Sequence, residues 1–331
     1  MSQDPPALSQ IRIVLVEPAG PLNIGSAARV MKNFGLQHLV LVNPQCDPLG
    51  EEAMQMAVHA KDLLHSAQIV SSIPEALEGC YSAIATTARQ RDINTPLERP
   101  EEALSALVAE ASVNRDSSTQ DADQAAEASA NKISSDSSYA VIFGPEDRGL
   151  SNEELIYAQR FVKIPTSDRY SALNLAQAVA VCCYELYRIS LQREDQAPSS
   201  SPSPLAADTA LRNPADSKST DSAQNLTNAL RTSPLSDKQT ESRSIDRSAS
   251  GSNPEPATDR ARLDELEGYY QHLESVLLSV EYLYPHTAAS RMRKVRQLLQ
   301  KAHPTSAEVA LLRGMLRQVE WALAKTDSKQ G

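Results

Sequence analysis

The stretch IRIVLVEPAGPLNIGSAARVMKNFGLQHLVLVNP, residues 11–44, decides the fold class of this chain. It opens with a nearly continuous apolar run over 11–18, which is typical of a parallel strand that is buried on both faces. A helical segment is predicted over 24–34, and a second apolar run over 38–44 predicts the next strand. This order predicts a strand–helix–strand unit with a right-handed crossover.

The alternation of strands and helices continues along the chain as far as residue 193. Further strands are predicted at 67–72, 81–88, 139–146 and 160–166, with helices at 54–60, 73–79 and 172–191. Capping boxes mark two of the helix starts, Ser72-x-x-Glu75 and Ser151-x-x-Glu154. We therefore expect residues 11–193 to form one α/β domain on a parallel sheet.

Two polar segments divide the chain. Residues 105–138, most clearly 112–138, are rich in Ser, Asp, Ala and Asn, and residues 194–258 are rich in Ser and Pro. Neither segment can bury enough apolar surface to offset the entropy of ordering. We expect a disordered insert at 105–138 and a disordered linker at 194–258. Apolar residues return at helical spacing over 259–326, which predicts a small C-terminal α-helical domain whose position, after so long a linker, is poorly defined.

Composition excludes several classes of protein. The 331 residues carry 32 Lys and Arg against 42 Asp and Glu, a net charge of −10, yet residues 259–331 carry a net charge of +2. No apolar run approaches the roughly 18 residues of a membrane span, and the polar N-terminus does not resemble a secretion signal. Four cysteines without a CxxC pair indicate buried thiols. We therefore expect a cytoplasmic protein without a metal and without a membrane partner.

The first of three polar clusters follows the first strand, at residues 17–29. Asn23 is predicted to be the N-cap of the helix, and Gly25 lets another backbone come close. Helix N-termini attract anions, and Arg29 lies six residues after Asn23. The alternative is a plain helix cap with a surface arginine.

The other two clusters follow the strands at 139–146 and 160–166. In the second cluster, residues 143–150, Gly144 and Gly149 allow a sharp loop that carries Glu146 and Arg148, and a salt-bridged turn is the alternative. The third, residues 164–178, is a polar loop that enters a helix with Ser171 and Asn174 in its first turn. An ordinary N-cap is the alternative there.

Several common catalytic motifs are absent from the sequence. The first strand is not followed by GxGxxG, and neither GxxxxGK[ST], GxSxG nor HExxH occurs. The six histidines also lie outside the three clusters. These absences argue against dinucleotide binding, P-loop chemistry and catalysis by histidine.

Taken together, the clusters resemble the three motifs of the SpoU/TrmH branch of the SPOUT RNA methyltransferases. The matching residues are Asn23-x-Gly25-x-x-x-Arg29, Phe143-Gly144-Pro145-Glu146-x-x-Gly149-Leu150, and Ile164-Pro165 followed by Ser171-x-Leu173-Asn174-Leu175. The resemblance covers residues 11–104 and 139–191. It implies a deep C-terminal trefoil knot in the parallel sheet, S-adenosyl-L-methionine as cofactor, and a homodimer through the knot whose active sites take residues from both chains.

The resemblance also implies roles for particular residues. Catalytic roles fall on Arg29, which would orient the ribose hydroxyl or bind the adjacent phosphate, and on Asn23, which would position the ribose. Glu146, Ser171 and Asn174 would hold the loops and the arginine. The cofactor loops would comprise Thr86, Thr87, Ala88, Gly144, Ile164, Ser171, Ala172 and Leu173.

The function that the resemblance implies is 2′-O-methylation of a tRNA ribose. Residues 11–44 and the C-terminal helices are most similar to the members that act on cytidine or uridine 32 of the anticodon loop. Two alternatives stay open from the sequence. The chain is also compatible with a 2′-O-methyltransferase for rRNA or another tRNA site, and with an RNA-binding protein on the same fold that has lost catalysis.

Overall fold

The structure is a computed structural model that describes residues 5–87, 96–118, 138–167, 169, 172–196 and 260–327. All of these residues belong to one compact unit. Its centre is a seven-stranded sheet in which every pair of neighbouring strands is parallel, in the order β3-β2-β1-β6-β4-β7-β5. The strands are β1 Ile11–Val16, β2 His38–Val42, β3 Gln68–Val70, β4 Ser82–Thr86, β5 Leu97–Glu98, β6 Tyr139–Phe143 and β7 Arg160–Val162.

Helices connect the strands and cover both faces of the sheet. They are α1 Pro21–Asn33, α2 Glu51–Ala57, α3 Lys61–His65, α4 Ile73–Ala76, α5 Pro100–Ser118, α6 Asn152–Leu155 and α7 Leu175–Gln196. A short 3-10 helix, Pro6–Gln10, precedes β1. The observed strands and helices confirm the predicted α/β domain with a parallel sheet.

The alternation of side chains along β1 explains the layers. Ile13 and Leu15 point to one face and join a core that includes α1, α5 and α7. Val14 and Val16 point to the other face and join a core that includes α4 and α6. Successive strand residues face opposite sides, so a strand that is apolar throughout, as β1 is, needs a helical layer on each side.

The strand order reverses beside β1. The chain proceeds outward from β1 to β2 and β3, whereas β6 and then β4 lie on the other side of β1. In open α/β sheets, ligands bind outside the carboxyl ends of the strands at such a reversal. The first and second clusters follow β1 and β6, so the fold places both of them at this point.

The helix α5 differs from the expected disordered insert at 105–138. Leu107, Val108 and Ala111 are buried in the core beneath this helix. Alanines and a few larger apolar residues on one side of a helix bury enough surface here, although the composition of the segment is polar overall. Residues 119–137 lie outside the described residues, as do 197–259 of the expected linker; its first residues, 194–196, extend α7.

The predicted helix at 54–60 is also wrong in detail. The chain forms α2 and α3 instead, and Val58 between them adopts a left-handed backbone with φ of 53°. Elsewhere the strand ends differ, since β7 stops at Val162 whereas 160–166 was predicted. The short β5 was not predicted, because two residues carry no periodic signal.

The tail forms three helices, α8 Leu263–Ser279, α9 Pro285–Ala302 and α10 Ser306–Asp327. They share a core that includes Leu266, Tyr270, Met292 and Val309, which confirms the predicted helical domain. Among the described residues, no helix has both the length and the apolar character needed to cross a membrane.

The expectation that the tail has no defined position is wrong in this structure. The Leu263 amide donates to the Cys80 carbonyl at 2.8 Å, and Gln300 Nε2 donates to the Ile156 carbonyl at 3.1 Å. The Arg262 guanidinium lies 5.5 Å from the centre of the Tyr81 ring. These contacts dock the helical domain against the α/β domain of the same chain.

Candidate active site

A chain of side-chain hydrogen bonds joins the three sequence clusters. Asn23 Nδ2 donates to Glu146 Oε1 at 2.9 Å, and Asn174 Nδ2 donates to Asn23 Oδ1 at 2.9 Å. Glu146 also accepts the backbone amides of Ala19 and Gly20, each at 3.1 Å. Residues more than a hundred positions apart in sequence are thus fixed side by side. We refer to Glu146, Asn23 and Asn174 as the polar chain.

The position of Asn23 differs from the predicted N-cap. Helix α1 begins at Pro21 with Gly20 as its N-cap, so Asn23 lies inside the first turn. Proline is favoured at the first helical position because its missing N–H needs no partner there. The Asn23 side chain is therefore not used as a cap and pairs with the other two clusters.

Asn174 lies before the first turn of α7, not within it as predicted, and so follows the N-cap alternative. It precedes α7, and its Oδ1 accepts the Ala176 amide at 2.9 Å. This bond fixes the orientation of the side-chain amide, so that Nδ2 points to Asn23. The third cluster is therefore both a cap and a member of the polar chain. Ser171, which the sequence also singled out, lies outside the described residues.

Arg29 is not part of the polar chain. Its side chain is exposed on α1, and it makes no hydrogen bond or ion pair with the residues that the structure describes. It does not line the neighbouring cavity either. The guanidinium is thus presented to solvent, where it can meet a group from another molecule.

A cavity of about 180 Å³ lies next to the polar chain. Six of the eight residues predicted to bind the cofactor line it, namely Thr86, Thr87, Gly144, Ile164, Ala172 and Leu173. The other two, Ala88 and Ser171, lie outside the described residues. The ends of β4 and β6, the loop after β7 and the start of α7 thus converge on one cavity.

Two glycines shape the loop that forms one wall of this cavity. A Cβ atom on Gly144 would lie 2.3 Å from the Leu150 amide nitrogen, so the loop folds back too closely for any side chain there. Gly149 has a φ of 64°, which favours glycine. The predicted sharp loop at 143–150 is confirmed.

Arg148 is ion-paired beside the loop, but with other partners than the salt-bridged turn of the sequence alternative would use. Arg148 contacts Glu17 at 2.6 Å and Glu154 at 2.8 Å, and it does not pair with Glu146. Burial alone would raise the pKa of Glu154, but hydrogen bonds from Arg148 and Ser151 outweigh it and hold that pKa below its usual value. The capping box at Ser151 was a signal for Glu154, but nothing local indicated that Glu17 reaches the same arginine.

Hydrogen bonds from Asn23 and two backbone amides stabilise Glu146 as a carboxylate. Burial raises its pKa, while the hydrogen bonds from Asn23 and from the Ala19 and Gly20 amides lower it by more, so that its pKa lies below the ordinary value. A carboxylate in this state accepts hydrogen bonds and does not release a proton at neutral pH. Its role in the geometry is to anchor the polar chain.

The other depressions and reactive side chains of the described structure offer no alternative candidate for the active site. A larger open depression of about 580 Å³ lies where β2 begins, lined in part by Lys32, His38 and Asp62, and none of the predicted site residues line it. Within the described part of the chain, no group of His, Cys, Asp and Glu could hold a metal ion. Cys80, Cys182 and Cys183 are buried, as predicted, and Cys46 is half-buried.

The sequence and the fold of this chain are similar to those of known RNA methyltransferases. Residues 10–184 match the SpoU rRNA Methylase family, and residues 264–330 match the C-terminal domain of the tRNA methyltransferase TrmJ. The TrmJ of Cronobacter sakazakii, named as a tRNA (cytidine/uridine-2′-O-)-methyltransferase, is 32% identical over 95% of this chain and 97% of its own.

Two further similarities extend over nearly the whole chain. A tRNA (cytidine/uridine/adenosine-2′-O-)-methyltransferase TrmJ of Pseudomonas aeruginosa is 31% identical, over 95% of each chain. The crystal structure of TrmJ from Z. mobilis ZM4 has a TM-score of 0.61 at 25% identity, covering 93% of this chain and 98% of that one. The expected trefoil knot follows from membership of the SPOUT fold that these matches indicate. The chain therefore belongs to the SpoU methylase family and is a methyltransferase that carries a TrmJ-type C-terminal domain.

Proposed function

We propose that this protein transfers a methyl group from S-adenosyl-L-methionine to a ribose 2′-hydroxyl of tRNA, at cytidine or uridine 32 of the anticodon loop. The observation that carries the proposal is the polar chain of Glu146, Asn23 and Asn174 beside the cavity at the end of β6. Support for tRNA as the substrate comes from the activities for which the relatives are named. Position 32 rests on the resemblance of residues 11–44 and the C-terminal helices.

The cavity has the chemistry that an adenosine group needs. Ligand sites combine apolar walls with a few polar groups, and here Leu150, Val162 and Leu173 line the cavity together with residues 144–149. The missing side chain at Gly144 keeps that loop tight against the cavity. The residues proposed to hold the cofactor are Thr86, Thr87, Ala88, Gly144, Ile164, Ser171, Ala172 and Leu173. When bound, the cofactor supplies an electrophilic methyl group on a sulfonium.

The chain's own residues then act on the RNA. A ribose hydroxyl is a weak nucleophile, so it must be oriented, and its proton passes to solvent water during the transfer. The Arg29 guanidinium stays protonated, and in this proposal it orients the hydroxyl or binds the adjacent phosphate. Asn23 positions the ribose, while Glu146, Ser171 and Asn174 hold the loops in place. Alignment of the reacting groups supplies most of the acceleration.

Arg29 does not line the cavity of its own chain, although the proposal gives it a role in catalysis. A homodimer would account for this separation. In this proposal the Arg29 side chain of one subunit serves the cavity of the other, so that each active site takes residues from both chains. Leu22 on α1 and Tyr184 on α7 are exposed, which suits an interface formed by these helices. Such an enzyme acts in the cytoplasm, where tRNA is the available partner.

The test is methyl transfer from labelled cofactor to unmodified tRNA. We expect label on the full transcript and none on a transcript that carries a 2′-deoxy nucleotide at position 32. Label that survives this replacement would place the reaction at another site, and preferential labelling of rRNA would favour the rRNA alternative. Failure to label any RNA, with cofactor binding intact, would favour the non-catalytic alternative.

Base preference is tested in the same assay. The relative from P. aeruginosa is named for adenosine as well as cytidine and uridine. Transcripts with each base at position 32 would show whether this chain follows the narrower or the broader set. We expect cytidine and uridine to be methylated.

A further inference from the structure

The turn between α8 and α9 presents aromatic side chains to solvent. Tyr282 and Tyr284 are 63% and 52% exposed in the described structure, and Leu283 between them is buried in the helical core. Large aromatic rings are normally covered, because each buries much apolar surface. Two of them exposed side by side on one short turn therefore need an explanation.

The turn is held in a fixed conformation. The amides of Tyr282 and Leu283 donate to the Leu277 carbonyl at 3.0 and 2.9 Å, and the Thr287 and Ala288 amides donate to the Tyr284 carbonyl. Tyr284 is the N-cap of α9. The rings are thus displayed by a backbone that is already ordered, which lowers the entropy that binding would cost.

Cationic and aromatic groups surround the two tyrosines. The Arg291 guanidinium lies 5.8 Å from the centre of the Tyr282 ring and donates to the Tyr282 carbonyl at 3.2 Å. The His286 ring is stacked on the Tyr284 ring with 6.0 Å between centroids. Lys294 is exposed one turn beyond Arg291 on α9. Glu281 is the one acidic residue of the 280–295 segment.

From these contacts we propose that Tyr282 and Tyr284 form a stacking platform for unpaired RNA bases, with Arg291 and Lys294 binding the neighbouring phosphates. Aromatic faces bind single-stranded bases of any sequence, and nearby cations follow the backbone. The positive charge around the rings favours a polyanion over an apolar protein segment. The inference rests on the proposed function, since it assigns part of the tRNA contact to a defined turn.

The basic cluster of α9, which comprises Arg291, Arg293, Lys294 and Arg296, contains residues of different exposure. Arg296 is buried, pairs with Glu267, and lies 4.4 Å from the centre of the Tyr270 ring, so it stabilises the helical domain. Arg291 and Lys294 face solvent on the same side of α9. The platform therefore uses only the exposed members of the basic cluster.

Binding of full-length protein to an unmodified tRNA transcript, measured at several salt concentrations, tests the platform. We expect Tyr282→Ala and Tyr284→Ala each to weaken binding by about tenfold without changing the salt slope, because stacking releases no counterions. Tyr282→Phe and Tyr284→Phe keep the ring and should bind like the unaltered protein. Arg291→Gln with Lys294→Gln should instead make the slope shallower, by about 0.7–0.9 for each lost phosphate contact.

Controls separate this inference from the proposed function. Leu311→Ala removes an exposed apolar side chain from α10 and should leave tRNA affinity unchanged. Equal affinity of the alanine variants and the unaltered protein would overturn the platform, and the turn would then be a candidate protein contact. Methyl transfer to tRNA by the unaltered protein decides the proposed function independently of that result.

Discussion

Arg29 and the polar chain divide the candidate site into a solvent-facing cation and a fixed scaffold. Asn23 accepts from Asn174 and donates to Glu146, so each amide in the chain has a defined orientation. Arg29 has no such restraint from the described residues. The division predicts that changes at Arg29 affect chemistry, while changes in the polar chain affect the geometry of the loops.

Arg29→Ala should therefore reduce methyl transfer by about a hundredfold, comparable to the loss of one charged transition-state contact. The exposed position predicts an unchanged melting temperature and unchanged binding of S-adenosylmethionine, measured by calorimetry. More than a tenth of the original activity would contradict the proposed role. The variant Leu173→Glu places a carboxylate in the cavity and should also be inactive as a dimer with itself. Mixed dimers of one Arg29→Ala subunit and one Leu173→Glu subunit should regain activity if each site uses residues from both subunits.

Glu146 predicts a dependence of stability on pH. Its folded pKa lies below the ordinary value, so its contribution is present above the unfolded pKa, about 4.3, and is lost as pH falls through the folded pKa. The melting temperature of the unaltered protein should fall more steeply below pH 5 than that of Glu146→Gln. Glu153→Gln, at an exposed position on α6, is the matched control. Parallel pH profiles for all three proteins would show that Glu146 contributes nothing.

At the level of elements, Gly25 sets the distance between two helices. A Cβ atom on Gly25 would lie 2.3 Å from the Ala53 carbonyl oxygen and 2.9 Å from Met56 Cβ. The predicted close approach of another backbone is thus confirmed, and α2 is the element that approaches. The helix carries Asn23 and Arg29, so this contact also positions the proposed site.

Gly25→Ala should destabilise the protein by about 1–3 kcal/mol, the usual cost of overpacking a core, and thermal unfolding would measure it. Gly314 in α10 is a matched control, because a Cβ atom there has no neighbour within 4 Å. Gly314→Ala should leave stability unchanged or raise it by up to about 1 kcal/mol. Similar losses for both variants would point to a general effect on helices.

The two parts of the segment 105–137 should differ in their contribution to stability. Leu107, Val108 and Ala111 are buried against the sheet and α7, so deletion of 105–118 should remove core packing. Replacing 119–137 with a short Gly–Ser linker should leave the melting temperature within a few degrees, because that segment is polar and lacks apolar periodicity. Equal melting temperatures of both variants would mean that α5 contributes no stability.

At the scale of the whole molecule, the C-terminal helices are both a docked domain and the proposed RNA contact. Removing residues 198–331 should leave the cofactor cavity intact, since none of its lining residues come from α8–α10. Binding of S-adenosylmethionine should therefore be normal. Affinity for tRNA should fall, with a shallower salt slope, because phosphate contacts are lost. Equal tRNA affinity and equal salt slope in the full-length and truncated proteins would contradict a role of the C-terminal helices in RNA binding.

Stability of the truncated protein gives a separate measure of docking. Leu263 packs against the core on the α4 and α6 face, and Arg262 covers the Tyr81 ring. The truncation exposes these surfaces, so we expect a lower melting temperature as well as weaker RNA binding. Normal affinity for S-adenosylmethionine, together with a lower melting temperature, would show that the truncation removes packing and leaves the site undamaged.

The sequence by itself determined the local features of this protein. The apolar runs at 11–18 and 38–44, the helix caps at Ser72 and Ser151, and the close approach at Gly25 depend on neighbouring residues or on a simple steric rule. Only Ser151 forms the complete predicted capping box, because Glu75 accepts from Ser71 and not from the Ser72 amide. These short-range signals predicted a parallel α/β sheet, a helical tail and three polar clusters at strand ends. The motifs also carried the family resemblance, because their residue types and order are preserved along the chain.

Only the tertiary structure decided which distant groups meet. The insertion of β6 between β1 and β4 brings Glu146 to Asn23, and the ion pairs of Arg148 join Glu17 to Glu154. No local pattern encodes such pairings, because they depend on how whole elements pack. The same reason explains α5, whose polar composition conceals one apolar side that is buried against the sheet. It also explains the docking of the tail, which depends on contacts with the α/β domain.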